Sequence, residues 1–200
     1  VDLVFLGGGP DREQRLASED LMRMRDDLHA YVEDDGVLLA ICGGFQILGH
    51  EWLLGEEVVK GLGLVDMTTE RAPGGSGNRL IGNIALRSPL ADQAVVGYEN
   101  HAGRTHLGTG VEAFGDVASS TGHGNNDSDK RDGVRYKNVV GPYLHGPLLP
   151  KNPQVADALL IRALERRARR AGVPAPELAP LDDAVENAAN EYVRNRLNAG

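Results

Sequence analysis

The stretch VLLAICGGFQILGH, residues 37–50, decides how this chain folds. Five apolar residues, Val37 to Ile41, read as a strand buried on both faces. Cys42, the only cysteine in 200 residues, ends that run, and Gly43 and Gly44 follow at once. A strand that turns sharply into a helix crowds the side chains at the turn, so two glycines there have a steric reason. The turn also exposes the sulfur, as the nucleophile elbow of hydrolases exposes a serine. A helix N-terminus is expected to stabilise the thiolate, the form that attacks carbonyl groups. The bland alternative is a cysteine packed as a small, inert hydrophobe.

Upstream, VDLVFLGGG (residues 1–9) reads as another buried strand ending in a turn. Asp11 and Gln14 have capping-box spacing, and Leu21, Met24, Leu28 and Tyr31 recur at helical spacing until Gly36 stops the helix. Downstream, Phe45, Leu48 and Trp52 mark the apolar face of a second helix. Strand, helix, strand, helix predicts an α/β fold with a mostly parallel central sheet flanked by helices. A domain rarely begins in mid-sheet, so an N-terminal strand and helix are expected to precede residue 1. No internal repeat or linker divides the chain, and residues 1–200 read as a single domain.

The middle changes character. GLGLVDM, RLIGNIAL, AVVGYEN, VEAFGDVAS, GVRYKN and VVGPYLHG are short β-leaning runs between turn residues. The polar segment STGHGNNDSDKRDG invites a calcium reading, but Asp127, Asp129 and Asp132 miss the D-x-D-x-D-G spacing. It reads instead as a solvated hairpin loop, and no metal site is expected. Near the end, Asn152 and Pro153 open a helix striped by Val155, Leu159, Leu160 and Leu164 and ended by Gly172. Arg166, Arg167, Arg169 and Arg170 fall on its last turns, where cations suit the dipole and a solvated helix end is expected. Leu181, Val185, Ala188, Tyr192 and Val193 suggest one more amphipathic helix.

Composition bounds the function. A formal net charge of −8 and 4% aromatic residues disfavour nucleic acid as a partner. One cysteine cannot form an internal disulfide, no run reaches the length of a membrane span and no signal-peptide pattern opens the chain, so a cytoplasmic location is expected. A thiolate needs a group that handles protons, and six histidines are available: His29, His50, His101, His106, His123 and His145. His29 lies among helical charges and His123 in the polar segment. Spacing alone does not choose between His145 and His101.

The motifs do choose. AICGGFQ resembles the nucleophile motif of class I glutamine amidotransferases, and GYENHAGRT with GPYLHG resembles their cobyric acid synthase branch. Within that branch, GGGPDREQ, NRLIGNI, GNNDSDK and above all YLHGPLLPKNP are similar to the glutaminase subunits of lipid II isoglutaminyl synthases, over residues 1 to about 170. The resemblance implies that Cys42 attacks the side-chain amide of L-glutamine. It implies that His145 protonates the departing ammonia and then activates water. The oxyanion hole would be the N–H of Gly43 with one from Gly8 or Gly9. Gln46 falls where the family's motif has its glutamine, near the bound amide or the elbow. Arg79 falls where the family binds substrate, and a guanidinium fork suits an α-carboxylate. Arg104 is the rival for that task, and His101 reads as a structural histidine.

Two absences stand beside these matches. Many class I amidotransferases place a glutamate two residues after the catalytic histidine, where this chain has Pro147. Glu99 is one substitute, and a carboxylate from a partner chain suits the family better. No ATP-binding motif occurs, so no cofactor is expected on this chain. The family implies a Mur-ligase-like synthetase partner that carries ATP and magnesium, takes up the ammonia and amidates D-glutamate in lipid II at the inner face of the membrane. Three alternatives stay open: a corrinoid or other carboxylate as acceptor, a different cysteine hydrolase, and a silent binding module.

Overall fold

The chain opens with strands β1 (Leu3–Leu6) and β2 (Val37–Ala40), parallel and joined through helices α1 (Asp11–Arg23) and α2 (Arg25–Glu33). Helix α3 (Gly43–Ile47) follows β2 directly. Six strands fill the middle: β3 (Glu51–Leu54), β4 (Glu57–Lys60), β5 (Met67–Arg71), β6 (Leu80–Arg87), β7 (Val95–His101) and β8 (Gly103–Leu107). Strands β9 (Gly115–Val117), β10 (Arg131–Asp132), β11 (Val134–Tyr136) and β12 (Val139–Gly141) lead to helices α4 (Leu148–Lys151), α5 (Pro153–Ala171) and α6 (Ala184–Leu197). The computed structural model describes residues 1–54, 57–72, 74 and 77–199, the side chains of residues 11, 53 and 54 excepted.

Among the described residues the strands form three four-stranded sheets, ordered β1-β2-β12-β11, β10-β9-β6-β7 and β4-β3-β5-β8. The first is parallel across β1, β2 and β12, with β11 antiparallel at its edge. The second is antiparallel, and in the third only β3 and β5 run parallel. A parallel pair needs a crossover of a dozen residues or more, which the short turns of the middle region do not supply. The fold is α/β, with its parallel part concentrated where the nucleophile sits.

β2 explains the unbroken apolar run. Leu38 and Ala40 point into one core cluster with Phe45, Leu48 and Trp52, while Val37 and Leu39 point into a second with Ile84, Phe114 and Leu159. Both faces are covered, so no polar residue is tolerated on either. β1 differs from the buried strand expected: it lies at the edge of its sheet, with Phe5 exposed.

Several local expectations give way to tertiary contacts. The first helix breaks at Met24, which leaves the core. Its N-cap is Pro10, whose carbonyl accepts the Gln14 N–H at 3.0 Å; the Asp11 side chain of the expected capping box lies outside the described residues. After α2, Asp35 takes the left-handed turn. The helix after Cys42 stops at Ile47, because the backbone of Gly49 and His50 docks on Met67. Trp52 therefore lies on a strand, opposite Val59.

The segment expected to be solvated is folded in: Asn125, Asn126 and Asp132 are buried. Asn125 bonds both backbone groups of Gly133, and Asn126 donates to the Thr105 carbonyl and caps Ser128 and Asp129, so burial leaves these amides satisfied. No metal-binding cluster occurs among the described residues. In α5 the N-cap Asn152 turns its side chain to Val96 and Leu148 rather than to its own helix. Arg166 is buried rather than solvated, bonded to the carbonyl and carboxylate of Asp34 and stacked over Tyr31. α6 buries Asn190 and leaves Val185, Ala188 and Tyr192 of the expected stripe exposed, while Val193 packs against the cluster of Ala85, Val96 and Ala199; Leu181, ahead of the helix, is exposed too. No helix among the described residues is long and apolar enough to cross a membrane.

Candidate active site

Cys42 stands at the C-terminal end of β2 with φ 52 and ψ −107, a conformation that costs a non-glycine residue roughly 1–3 kcal/mol. Surrounding contacts hold it there. The Cys42 N–H donates to the Pro142 carbonyl at 3.2 Å, the Gly44 N–H to Ile41 at 2.9 Å and the Gln46 N–H to Cys42 at 3.1 Å. A Cβ on Gly44 would stand 2.4 Å from the Leu6 carbonyl oxygen, and one on Gly43 would fall inside the side-chain amide of Gln14. The elbow is thus packed against the turn after β1, where a Cβ added to Gly8 would stand 3.1 Å from that of Cys42.

The thiol differs from expectation in one respect. Burial pushes its pKa up, against the opposing pull of the Gly43 N–H bond and the Arg79 guanidinium, while Asp132 adds to the rise. Helix α3 has only five residues, and its N-terminal field is short of what desolvation demands. Forming the thiolate here needs a base that takes the proton as attack begins.

A cavity of about 400 Å³ opens over the thiol and is lined by Gly8, Gly9, Cys42, Gln46, Arg79 and His145, among others. That volume suits a small ligand such as an amino acid. His145 is held by its backbone, which exchanges N–H···O bonds of 2.8 and 2.9 Å with Tyr98. Its half-buried imidazole meets the Tyr98 ring edge-on, with centroids 5.8 Å apart. Burial and the Arg79 charge both lower its pKa, which favours the neutral, proton-accepting form.

Arg79 is aimed rather than free-swinging: Nε donates to the side-chain oxygen of Asn100 and Nη2 to its carbonyl, each at 2.8 Å. Among the described residues these engage two of its N–H groups, which leaves part of the fork able to meet a carboxylate. Arg104, the rival, is buried and bonded to Asp127 and to the carbonyls of Ala102, Gly103 and Asn78, and it does not line the cavity. Gln46 does line it, and its amide donates to the Tyr143 hydroxyl at 2.6 Å. His101 also lines the cavity, stacks on Tyr143 at 3.6 Å and donates Nδ1–H to the Gly103 carbonyl; burial chiefly drives its pKa down to about 3, so it stays neutral.

The third member of a triad is not Glu99. That carboxylate is fully buried and accepts the His123 N–H, its ring Nδ1 and the Gly124 N–H. Among the described residues no side chain hydrogen-bonds the His145 imidazole. Three contributors carry little sequence signal: Gln14, which packs on Gly43, Asn100, which aims Arg79, and Tyr143, which anchors Gln46. All three lie inside stretches quoted for other reasons, Gln14 in GGGPDREQ, Asn100 in GYENHAGRT and Tyr143 in YLHGPLLPKNP, but nothing in those stretches names these tasks.

A cysteine on a glycine elbow, with a histidine and an anchored arginine over one small cavity, is chemistry for acyl transfer from an amide, and the chain belongs to the CobB/CobQ-like glutamine amidotransferase family, whose model matches residues 1–153. It is 41% identical over 199 residues to lipid II isoglutaminyl synthase (glutamine-hydrolyzing) subunit GatD of Staphylococcus aureus (strain N315), covering 98% of this chain and 76% of that one. The subunit of the same name from Streptococcus pneumoniae (strain ATCC BAA-255 / R6) is 39% identical over 167 residues, 83% of this chain and 62% of that one. A solved glutamine amidotransferase shares the fold with a TM-score of 0.58 at 23% identity, over 82% of this chain and 79% of its own.

Proposed function

We propose that this chain is the glutamine-hydrolysing subunit of a lipid II isoglutaminyl synthase. The observation that supports it best is the meeting of Cys42, His145 and Arg79 at one cavity. Arg79 binds the α-carboxylate of L-glutamine. His145 takes the thiol proton as sulfur attacks the side-chain carboxamide carbon, and the oxyanion sits at the N–H of Gly43 and of Gly8 or Gly9. Collapse breaks the C–N bond, and His145 returns its proton to the leaving nitrogen, releasing ammonia and a glutamyl thioester. Water then adds with His145 as base; glutamate leaves and the thiol is restored.

The ammonia passes to a Mur-ligase-like partner that uses ATP and magnesium to activate the α-carboxylate of D-glutamate in lipid II, giving D-isoglutamine at the cytoplasmic face of the membrane. A carboxylate of that partner orients His145, since Glu99 is occupied and Pro147 stands in the usual place. Glutamate release from L-glutamine, by the full-length chain alone and with the synthetase, tests this. A rate that rises sharply with the partner is expected. Equal rates would place the orienting group within this chain, and no release in either case would sink the proposal.

Arg79→Lys separates binding from chemistry. A lysine supplies a point charge without the fork, so the KM for glutamine is expected to rise about tenfold with a smaller change in kcat. An unchanged KM in steady-state assays would assign the α-carboxylate to another group.

A further inference from the structure

Residues 142–145 join the nucleophile to the base. The Pro142 carbonyl holds the Cys42 N–H, the Tyr143 hydroxyl holds Gln46, and the His145 backbone is paired with Tyr98. Proline at 142 ends the ladder of β12, and the next two N–H groups are buried where no strand meets them. Asp132 reaches them from β10: its Oδ1 accepts the Tyr143 N–H at 3.0 Å and the Leu144 N–H at 3.4 Å. Its own place is set by pairing with Gly115 and by Gly133, whose left-handed backbone packs against Gly141 and Pro142.

We infer that Asp132 is a positioning residue for the Cys42–His145 pair: through Oδ1 it fixes the backbone of Tyr143 and Leu144, and with it the reach of His145 to the thiol. This rests on the glutaminase reading of the site. The state of the carboxyl agrees with the task. Asp132 is fully buried, and its other oxygen, Oδ2, has no partner among the described residues. Burial, with Glu99 and Asp129 facing it, pushes its pKa up to about 7 despite the two backbone N–H bonds. Asp132 is therefore protonated through the acidic range and in part at neutral pH, Oδ2 can hold the proton, and Oδ1 accepts the two N–H bonds in either form. A charge on Asp132 opposes thiolate formation at Cys42, which the neutral acid does not.

Two variants, assayed in the full chain with its partner, test the clamp. Asp132→Ala removes the acceptor and is expected to lower kcat for glutamine about 100-fold, with KM within about threefold, as misplacement of a reacting group does. Asp132→Asn keeps Oδ1 and is expected to recover kcat to within about tenfold of the unsubstituted chain. It is also expected to move alkylation of Cys42 by iodoacetamide to lower pH, since the charge near the thiol is gone. An undiminished kcat in Asp132→Ala overturns the clamp, and so does an Asp132→Asn variant as impaired as Asp132→Ala. If Asp132→Ala fails to fold, Asp132→Asn alone decides: retained kcat supports the clamp, and a loss of about 100-fold overturns it. No glutamine hydrolysis by the unsubstituted complex would instead count against the glutaminase reading. Alkylation then decides the clamp, and identical profiles for all three proteins overturn it.

Discussion

Replacing Cys42 by alanine is expected to abolish glutamate release, by at least about 10⁴-fold, while the thermal unfolding midpoint stays close to that of the unsubstituted chain. No other thiol exists in the chain to take over. The remaining site groups stabilise charge or carry protons, and without a nucleophile they have no thioester to form. The fold is expected to survive because the elbow is held by backbone bonds to Pro142, Ile41 and Gln46, none of which uses the sulfur. Alanine also keeps a Cβ, so the unusual φ of 52 is neither relieved nor worsened. Calorimetry and a coupled glutamate assay on the same preparation read both halves. Release at the unsubstituted rate would reduce Cys42 to a packed hydrophobe and return the chain to the class of binding modules.

His145→Asn carries the second large effect, a fall in kcat of about 10²- to 10⁴-fold, the range of one general acid–base group. The residual rate has a predictable pH dependence. Burial holds the thiol above its ordinary range, so without His145 little thiolate forms near neutrality and activity climbs steadily as pH rises. The unsubstituted chain behaves differently. Its imidazole is lowered from the usual 6.5 by burial and by Arg79, and only the neutral ring takes the thiol proton. Activity is therefore full near neutrality and lost as pH falls through a value below 6.5. A kcat/KM profile over acidic to alkaline pH measures this. An acid limb above 6.5, or an Asn variant of undiminished kcat, would remove His145 from the chemistry.

The chemistry was legible where it is written in contiguous residues. Cys42 ends an apolar run before two glycines, and YLHGPLLPKNP marks His145; both patterns are local. What local pattern does not record is which atoms meet across the chain. Trp52 fits a helical stripe as well as a strand, and only the docking of Gly49 and His50 on Met67 decides between them. Arg79 and Arg104 are equivalent in type, yet one is aimed into the cavity by Asn100 and the other is consumed by Asp127. Asp132 belonged to a run of acids that reads as solvent-exposed, but its partners are N–H groups left over by a proline ten positions later. In the tail of α5 Arg167, Arg169 and Arg170 are exposed as their pattern suggests, but Arg166 is buried, because Asp34 and Tyr31 receive it from more than a hundred residues away.

The packing of the elbow has a consequence at the level of the gene. Every missense change at codon 43 or 44 installs a Cβ, and at both positions that atom lands inside another group: the amide of Gln14 or the carbonyl of Leu6. At 43 a flexible side chain has to swing away, whereas at 44 the obstacle is main chain and has nowhere to go. Codon 44 therefore has no tolerated neighbours in sequence space, and natural variation in rate has to be written elsewhere, in the residues that aim Arg79 and His145.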